Sequence, residues 1–158
     1  MGIKLLIADD EDPIRNGIAK YIQLHTDRFD KIYLAANGRE ALDTIFRAKP
    51  DIMFLDVQMP MMTGIEVMQE ARRADALPYT MILSAYEEFK YCQQALRLGA
   101  REYMLKPVRS SGLLQMANRA ADELFGGEEE IQIDSAEEKN VLVELAREYV
   151  EEHYYENL

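Results

Sequence analysis

The chain has a single cysteine, Cys92, among 158 residues, so no intramolecular disulfide is available and a reducing compartment is expected. No apolar run approaches the ~20 residues that a bilayer-spanning helix needs. No signal peptide stands ahead of the first apolar run, and a cytoplasmic protein with no membrane attachment is expected. Met1-Gly2 opens the chain as an N-myristoylation site would, but Leu6 occupies the position where that signal wants serine or threonine. Positive charge is scarce as well: 18 Lys and Arg face 29 Asp and Glu, a net charge of -11. No internal repeat and no low-complexity segment appears.

The charge that is present is unevenly placed. Residues 126–158 hold 11 acids against Lys139 and Arg147, net -9, which leaves -2 for residues 1–125. A balanced body followed by an acidic tail is not the footprint of a phosphate-backbone binder. With 48% hydrophobic residues, the length suffices for one domain with a sizeable core and an appendage.

The body is organised around the stretch from Asp51 to Gly64. Ile52–Leu55 is an unbroken apolar run of strand length, bracketed by Pro50 and Pro60, as suits a central strand of a parallel sheet covered on both faces. It ends in Asp56, which places an acid on the carboxyl edge, where open α/β sheets bind ligands. A lone Asp at such a place is more often a cap or turn residue. The rest of the chain overturns that reading.

Residues 3–8 form an apolar strand that runs into Asp9-Asp10-Glu11-Asp12-Pro13, and Pro13 suits a first helical turn. Ile14, Ile18, Tyr21 and Ile22 then recur at helical spacing. A short strand is predicted at Ile32–Ala35, followed by a helix capped by Asn37 with Ala41, Leu42, Ile45 and Phe46 inward. After the central strand come a helix over Ile65–Arg73 and a strand over Tyr79–Ser84. The spacing next predicts a helix over Glu87–Leu98, with Phe89, Cys92 and Leu96 on one side and Gly99 as its stop. A short strand over Glu102–Leu105 meets Lys106-Pro107. Ser110 or Ser111 is expected to cap a last helix that turns Leu113, Met116, Ala117, Ala120 and Leu124 inward.

Strands alternating with helices indicate an α/β, doubly wound five-stranded parallel sheet with helices on both faces. Beyond this domain, residues 1–125, an acidic linker is expected over 126–135 and a C-terminal helical extension over 136–158. Four of the five strands end in a chemically loaded residue: Asp9 and Asp10, Asp56, Ser84, and Lys106. A parallel sheet brings all of these to one edge. Three carboxylates held together repel one another unless a cation intervenes, and a hard ion that keeps several waters, Mg²⁺, suits an open acidic site.

The series Ala8-Asp9-Asp10-Glu11, Asp56-Val-Gln-Met-Pro60 with Gly64, Ser84-Ala85 and Tyr103-Met-Leu-Lys106-Pro107 resembles the receiver domain of bacterial two-component response regulators. The resemblance covers residues 3–125. It implies the flavodoxin-like strand order 2-1-3-4-5 and a phosphoprotein switch whose Asp56 takes a phosphoryl group from a sensor histidine kinase, forming an aspartyl phosphate. It further implies Mg²⁺ held directly by Asp10, Asp56 and the backbone carbonyl of Gln58, with Asp9 acting through water. Lys106, ahead of a cis proline bond, and the Ser84 hydroxyl would serve the phosphoryl oxygens. By the same resemblance Tyr103 is a switch aromatic that turns inward when Ser84 moves; by default it is a half-buried packing residue.

Two other classes compete. A dehalogenase-type phosphatase wants Asp-x-Asp after its first strand, whereas the acids here are adjacent. A degenerate receiver, serving only as an interaction module, would lack the acceptor, an acid or the lysine, and none is missing. The resemblance therefore implies no enzyme in the ordinary sense, with phosphoryl transfer directed at the chain itself and autodephosphorylation.

The segment Phe89–Val108 is also similar to receivers of regulators with an AraC-type helix-turn-helix output. The acidic end, Ala146–Leu158, is similar to the lead-in to that output domain, which makes a truncated chain the expectation and a complete single-domain receiver the alternative. DNA would then be reached only through an output domain absent from this chain. Homodimerisation on phosphorylation is expected at the face made by the fourth helix, fifth strand and fifth helix, where Lys90, Arg97, Arg101 and Arg119 mix with Glu87, Glu88, Glu102 and Asp122.

Overall fold

The computed structural model describes residues 2–85 and 89–126, with residue 89 known by its backbone alone. Five strands alternate with five helices: β1 (Ile3–Ala8), α1 (Asp12–His25), β2 (Phe29–Ala35), α2 (Gly38–Ala48), β3 (Ile52–Asp56), α3 (Gly64–Arg73), β4 (Tyr79–Ser84), α4 (Phe89–Leu98), β5 (Glu102–Leu105) and α5 (Ser110–Phe125). The strands form one sheet in the order β2-β1-β3-β4-β5. Every neighbouring pair is parallel, so all five carboxyl ends share one edge. Residues up to Ala120 make one compact unit, and residues 121–125 complete α5. The expected linker over 126–135 and helix over 136–158 lie outside the described residues, apart from Gly126.

All five residues of β3 are buried, as a central strand covered on both faces requires. Side chains alternate across the sheet. Leu6, Ala8, Met53, Leu55 and Ile82 pack on one face with Ile45 of α2, Met68 of α3 and Ala95 of α4. Leu5, Ile7, Phe54 and Met81 are equally buried at the alternate positions.

Local signals set several boundaries. Asn37 accepts the Glu40 N–H and caps α2, and Thr63 with Glu66 forms a reciprocal capping box at α3. Pro13 sits in the first turn of α1. Elsewhere the structure departs from the spacing. β2 starts at Phe29, since pairing with β1 from Ile3 carries the polar Asp30 and Lys31 into the strand. α3 takes in Gly64 as its first residue, and α5 takes in Ser110 itself, so neither Ser110 nor Ser111 stands outside that helix as a cap. Phe46, Leu96 and Leu124 are exposed rather than inward, and Ala95 fills the position on α4 that Leu96 was expected to hold.

Candidate functional site

The chain leaves β1 as Asp9-Asp10-Glu11, leaves β3 as Asp56, and leaves β5 as Lys106. Because β1 and β3 are adjacent strands in matched register, Asp9, Asp10 and Asp56 converge, and one carboxylate oxygen of each lies within 4.8 Å of the others. Asp9 is wholly buried, Asp56 is 4% exposed and Asp10 faces solvent.

Lys106 reaches into this group from the far side of β4. Its Nζ lies 2.7 Å from Asp9 Oδ2, 3.2 Å from Asp56 Oδ2 and 3.3 Å from Glu11 Oε1. The Lys106 N–H donates to the Ser84 carbonyl at 2.8 Å, which pins the end of β5 to the end of β4, and the Lys106–Pro107 bond is cis. Burial pushes the lysine down, but the facing carboxylates outweigh it and hold its pKa above the ordinary value.

Asp56 shows the opposite balance. Its pKa is pushed up to about 7: burial raises it, the Lys106 charge pulls it down, and the nearby Asp9 adds to the rise. Its Oδ1 accepts the Gln58 N–H at 3.2 Å. The loop behind it is tight. Gly64 donates its N–H to the Val57 carbonyl at 2.7 Å, and a Cβ on Gly64 would stand 2.4 Å from the Asp56 carbonyl oxygen. Met61 adopts φ 72, in the left-handed region, and Gly38 at the start of α2 donates to the Pro60 carbonyl at 3.2 Å.

Asp9 Oδ2 is buried, and the Lys106 ammonium 2.7 Å away is the charge that faces it. An oxygen-only donor set of three clustered carboxylates, faced by this one ammonium, fits a hard divalent cation. Chemically, the arrangement can hold a buried carboxylate nucleophile between a cation site and an ammonium. A cleft of about 340 Å³ opens beside it, lined by Glu11, Ile14, Ile18, Leu83, Pro107 and Leu113 among others.

Residues 5–118 match the response regulator receiver domain. The chain belongs to the response regulator receiver family. Among curated relatives of this receiver, the uncharacterized transcriptional regulatory protein YesN of Bacillus subtilis is 32% identical over 121 residues, 77% of this chain and 33% of that protein. Transcriptional regulatory protein HptR of Staphylococcus aureus is 33% identical over 105 residues, 66% of this chain and 41% of its own. The receiver thus spans well under half the length of these relatives. Among solved structures, the REC domain of AraT, a response regulator from Geobacillus stearothermophilus, aligns with a TM-score of 0.70 at 35% identity, over 78% of this chain and 96% of that one. A CheY-like receiver domain protein from Methanospirillum hungatei aligns with a TM-score of 0.72 at 23% identity, over 78% of this chain and 96% of that one, a likeness of fold.

The receiver therefore brings Asp9, Asp10, Asp56 and Lys106 together. Gln58 meets the acceptor through its N–H, not through any contact of its carbonyl seen here. Ser84 is fully buried at the end of β4, in register with Leu105, and Tyr103 is half-buried in β5, in register with Ile82. Glu11, quoted in the motif, proves to touch Lys106. Arg15 escaped the sequence reading: its Nη1 donates to the Asp9 carbonyl at 2.8 Å. Its position one helical turn after Glu11 is the signal that could have found it. No described helix is long and apolar enough to cross a membrane.

Proposed function

We propose that this receiver is a phosphorylation-controlled switch in a two-component system, in which Asp56 accepts a phosphoryl group from a sensor histidine kinase. One observation carries the reading: a nearly sealed carboxylate, Asp56, is clustered with the acid pair Asp9 and Asp10 and faces the ammonium of Lys106. That is the equipment for attack on a phosphoanion, where positioning and charge do most of the work.

Asp10, Asp56 and the Gln58 backbone carbonyl would hold Mg²⁺, with Asp9 acting through water; when bound, the ion supplies the positive charge that lets a phosphoanion approach three carboxylates. The chain's own groups do the rest. The Gln58 N–H fixes the rotation of the Asp56 carboxylate. An Asp56 oxygen bonds to phosphorus as the phosphorus–nitrogen bond of the donor histidine breaks, and the imidazole nitrogen departs to be protonated. Lys106 moves from Asp56 Oδ2 to a phosphoryl oxygen, and the Ser84 hydroxyl serves another. The chain acts on itself, by accepting and later losing the group, and turns over no separate substrate.

The output follows from what moves. If Lys106 shifts, the end of β5 shifts with it, and Ser84 and Tyr103 carry the change to the α4–β5–α5 face, with association of two copies as the readout. Within that face Arg119 already pairs with Glu102 of the same chain, while Glu87 and Glu88 lie outside the described residues. The transcriptional regulators among the relatives support a longer protein with a DNA-binding output, which we take to be of the AraC helix-turn-helix type, working in the cytoplasm. Incubation with acetyl phosphate and Mg²⁺, followed by intact-mass measurement, tests the core of the proposal. A single hydroxylamine-labile phosphoryl group is expected; no adduct with Mg²⁺ present would defeat it.

A further inference from the structure

Apart from Oδ2, the polar groups of Asp9 are tied down. Its N–H donates to the Ala35 carbonyl at 3.0 Å, and its Oδ1 accepts the Glu11 N–H at 2.8 Å. Its carbonyl accepts Nη1 of Arg15 at 2.8 Å, while Nη2 of the same guanidinium bonds Asp12 Oδ1. The Arg15 side chain is 11% exposed, far less than a surface arginine, and its own N–H donates to the Glu11 carbonyl at 3.0 Å. One planar cation therefore grips the acid loop at both ends, Asp9 and Asp12. The remaining Asp9 oxygen, Oδ2, is the atom left to face Lys106 and the other carboxylates.

We infer that Arg15 is a positioning residue for the acid cluster: by clamping the Asp9 carbonyl and Asp12 it aims Asp9 and Asp10 at the cation site. The inference rests on the Mg²⁺-dependent reading given above. A guanidinium suits the task because its fork presents two donors in fixed directions, which an ammonium cannot do. It also adds a fixed positive charge to a loop whose carboxylates repel one another. Groups that orient ligands in this way commonly alter metal affinity by ~10-fold or more when removed.

The alternative is that Arg15 merely stabilises the fold, and metal affinity separates the two. Arg15→Met keeps the aliphatic stem and removes the fork; Arg15→Lys keeps the charge alone; Arg15→Gln keeps a single polar head. Calorimetric Mg²⁺ titrations of each variant, at a temperature where circular dichroism shows it folded, are paired with melting in chelator. The expected result is an Mg²⁺ dissociation constant weakened roughly tenfold in Arg15→Met, with Arg15→Lys in between. A folded Arg15→Met that binds Mg²⁺ as the wild type does overturns the inference, whatever its melting temperature. Failure of all three variants to fold also overturns it, because Arg15 would then hold the fold and not the site. Wild-type protein that binds no Mg²⁺ would bring down the parent reading and this inference together, whereas wild-type binding beside unmoved variants removes the inference alone.

Discussion

The Lys106 ammonium stands 3.2 Å from Asp56 Oδ2, so the residue that follows β5 is the counter-charge of the acid that ends β3, fifty positions earlier. The same ammonium also meets Asp9 and Glu11. Lys106 thus has carboxylate partners before any phosphoryl group arrives, and a phosphoryl oxygen must compete with them. Lys106→Ala should still take up phosphate from acetyl phosphate, because the nucleophile and its acid neighbours remain. It should lose most of the accompanying change around Ser84 and Tyr103. Amide spectra of the phosphorylated variant check this, and a full wild-type change there would refute the coupling role.

Asp56→Asn should abolish phosphoryl uptake while leaving the fold intact, and chelation of divalent cations should stop uptake by the wild type. Asp10→Ala should weaken Mg²⁺ binding strongly. Undiminished labelling of the asparagine variant, read by intact mass, would move the acceptor elsewhere.

The raised Asp56 pKa has a stability consequence with a definite sign. Its ordinary value is 3.8 and its folded value is about 7, so between these the folded state holds more proton than the unfolded one. Stability from this group is present at low pH and is lost as pH rises through about 7. In chelator, Asp56→Asn should therefore melt higher than wild type, and the gap should widen from pH 5 to pH 8. Melting curves of the two proteins at both values decide it; a gap that narrows with pH contradicts the assignment.

Gly64→Ala should damage the acceptor from behind. The added Cβ meets the Asp56 carbonyl oxygen at 2.4 Å and the Val57 Cα at 3.0 Å, both backbone atoms that cannot swing away. A cost of roughly 1–3 kcal/mol is expected, with slower phosphorylation as β3's end shifts. Denaturant unfolding and acetyl phosphate kinetics measure the two effects. By contrast Gly17 has open space around it, and alanine there should be tolerated.

Beryllofluoride with Mg²⁺, a mimic of the phosphoryl group, should drive association of this chain, read by sedimentation velocity with and without the ligand. The expected face is α4–β5–α5. Charge-reversal Arg101→Glu should weaken the association, and a ligand-bound chain that stays monomeric well above micromolar concentration would remove dimerisation from the proposal.

Much of this protein is determined by its sequence alone, for reasons that are local. Strands and helices follow from apolar period, and Pro13, Asn37, Gly64 and Gly99 punctuate them. Once the sheet is parallel, every strand end falls on one edge, so Asp9, Asp10, Asp56, Ser84 and Lys106 could be grouped without coordinates. What remained hidden depends on packing between distant segments. Phe46 and Leu96 carry the right period yet stay exposed, and on α4 it is the neighbouring Ala95 that is buried. The start of β2 at Phe29 was set by its pairing with β1 rather than by its own polar residues. The charge balance at Asp56 and the grip of Arg15 on the Asp9 carbonyl arise where a helix, a loop and two strand ends meet, and burial there sets strengths that no residue's identity carries by itself.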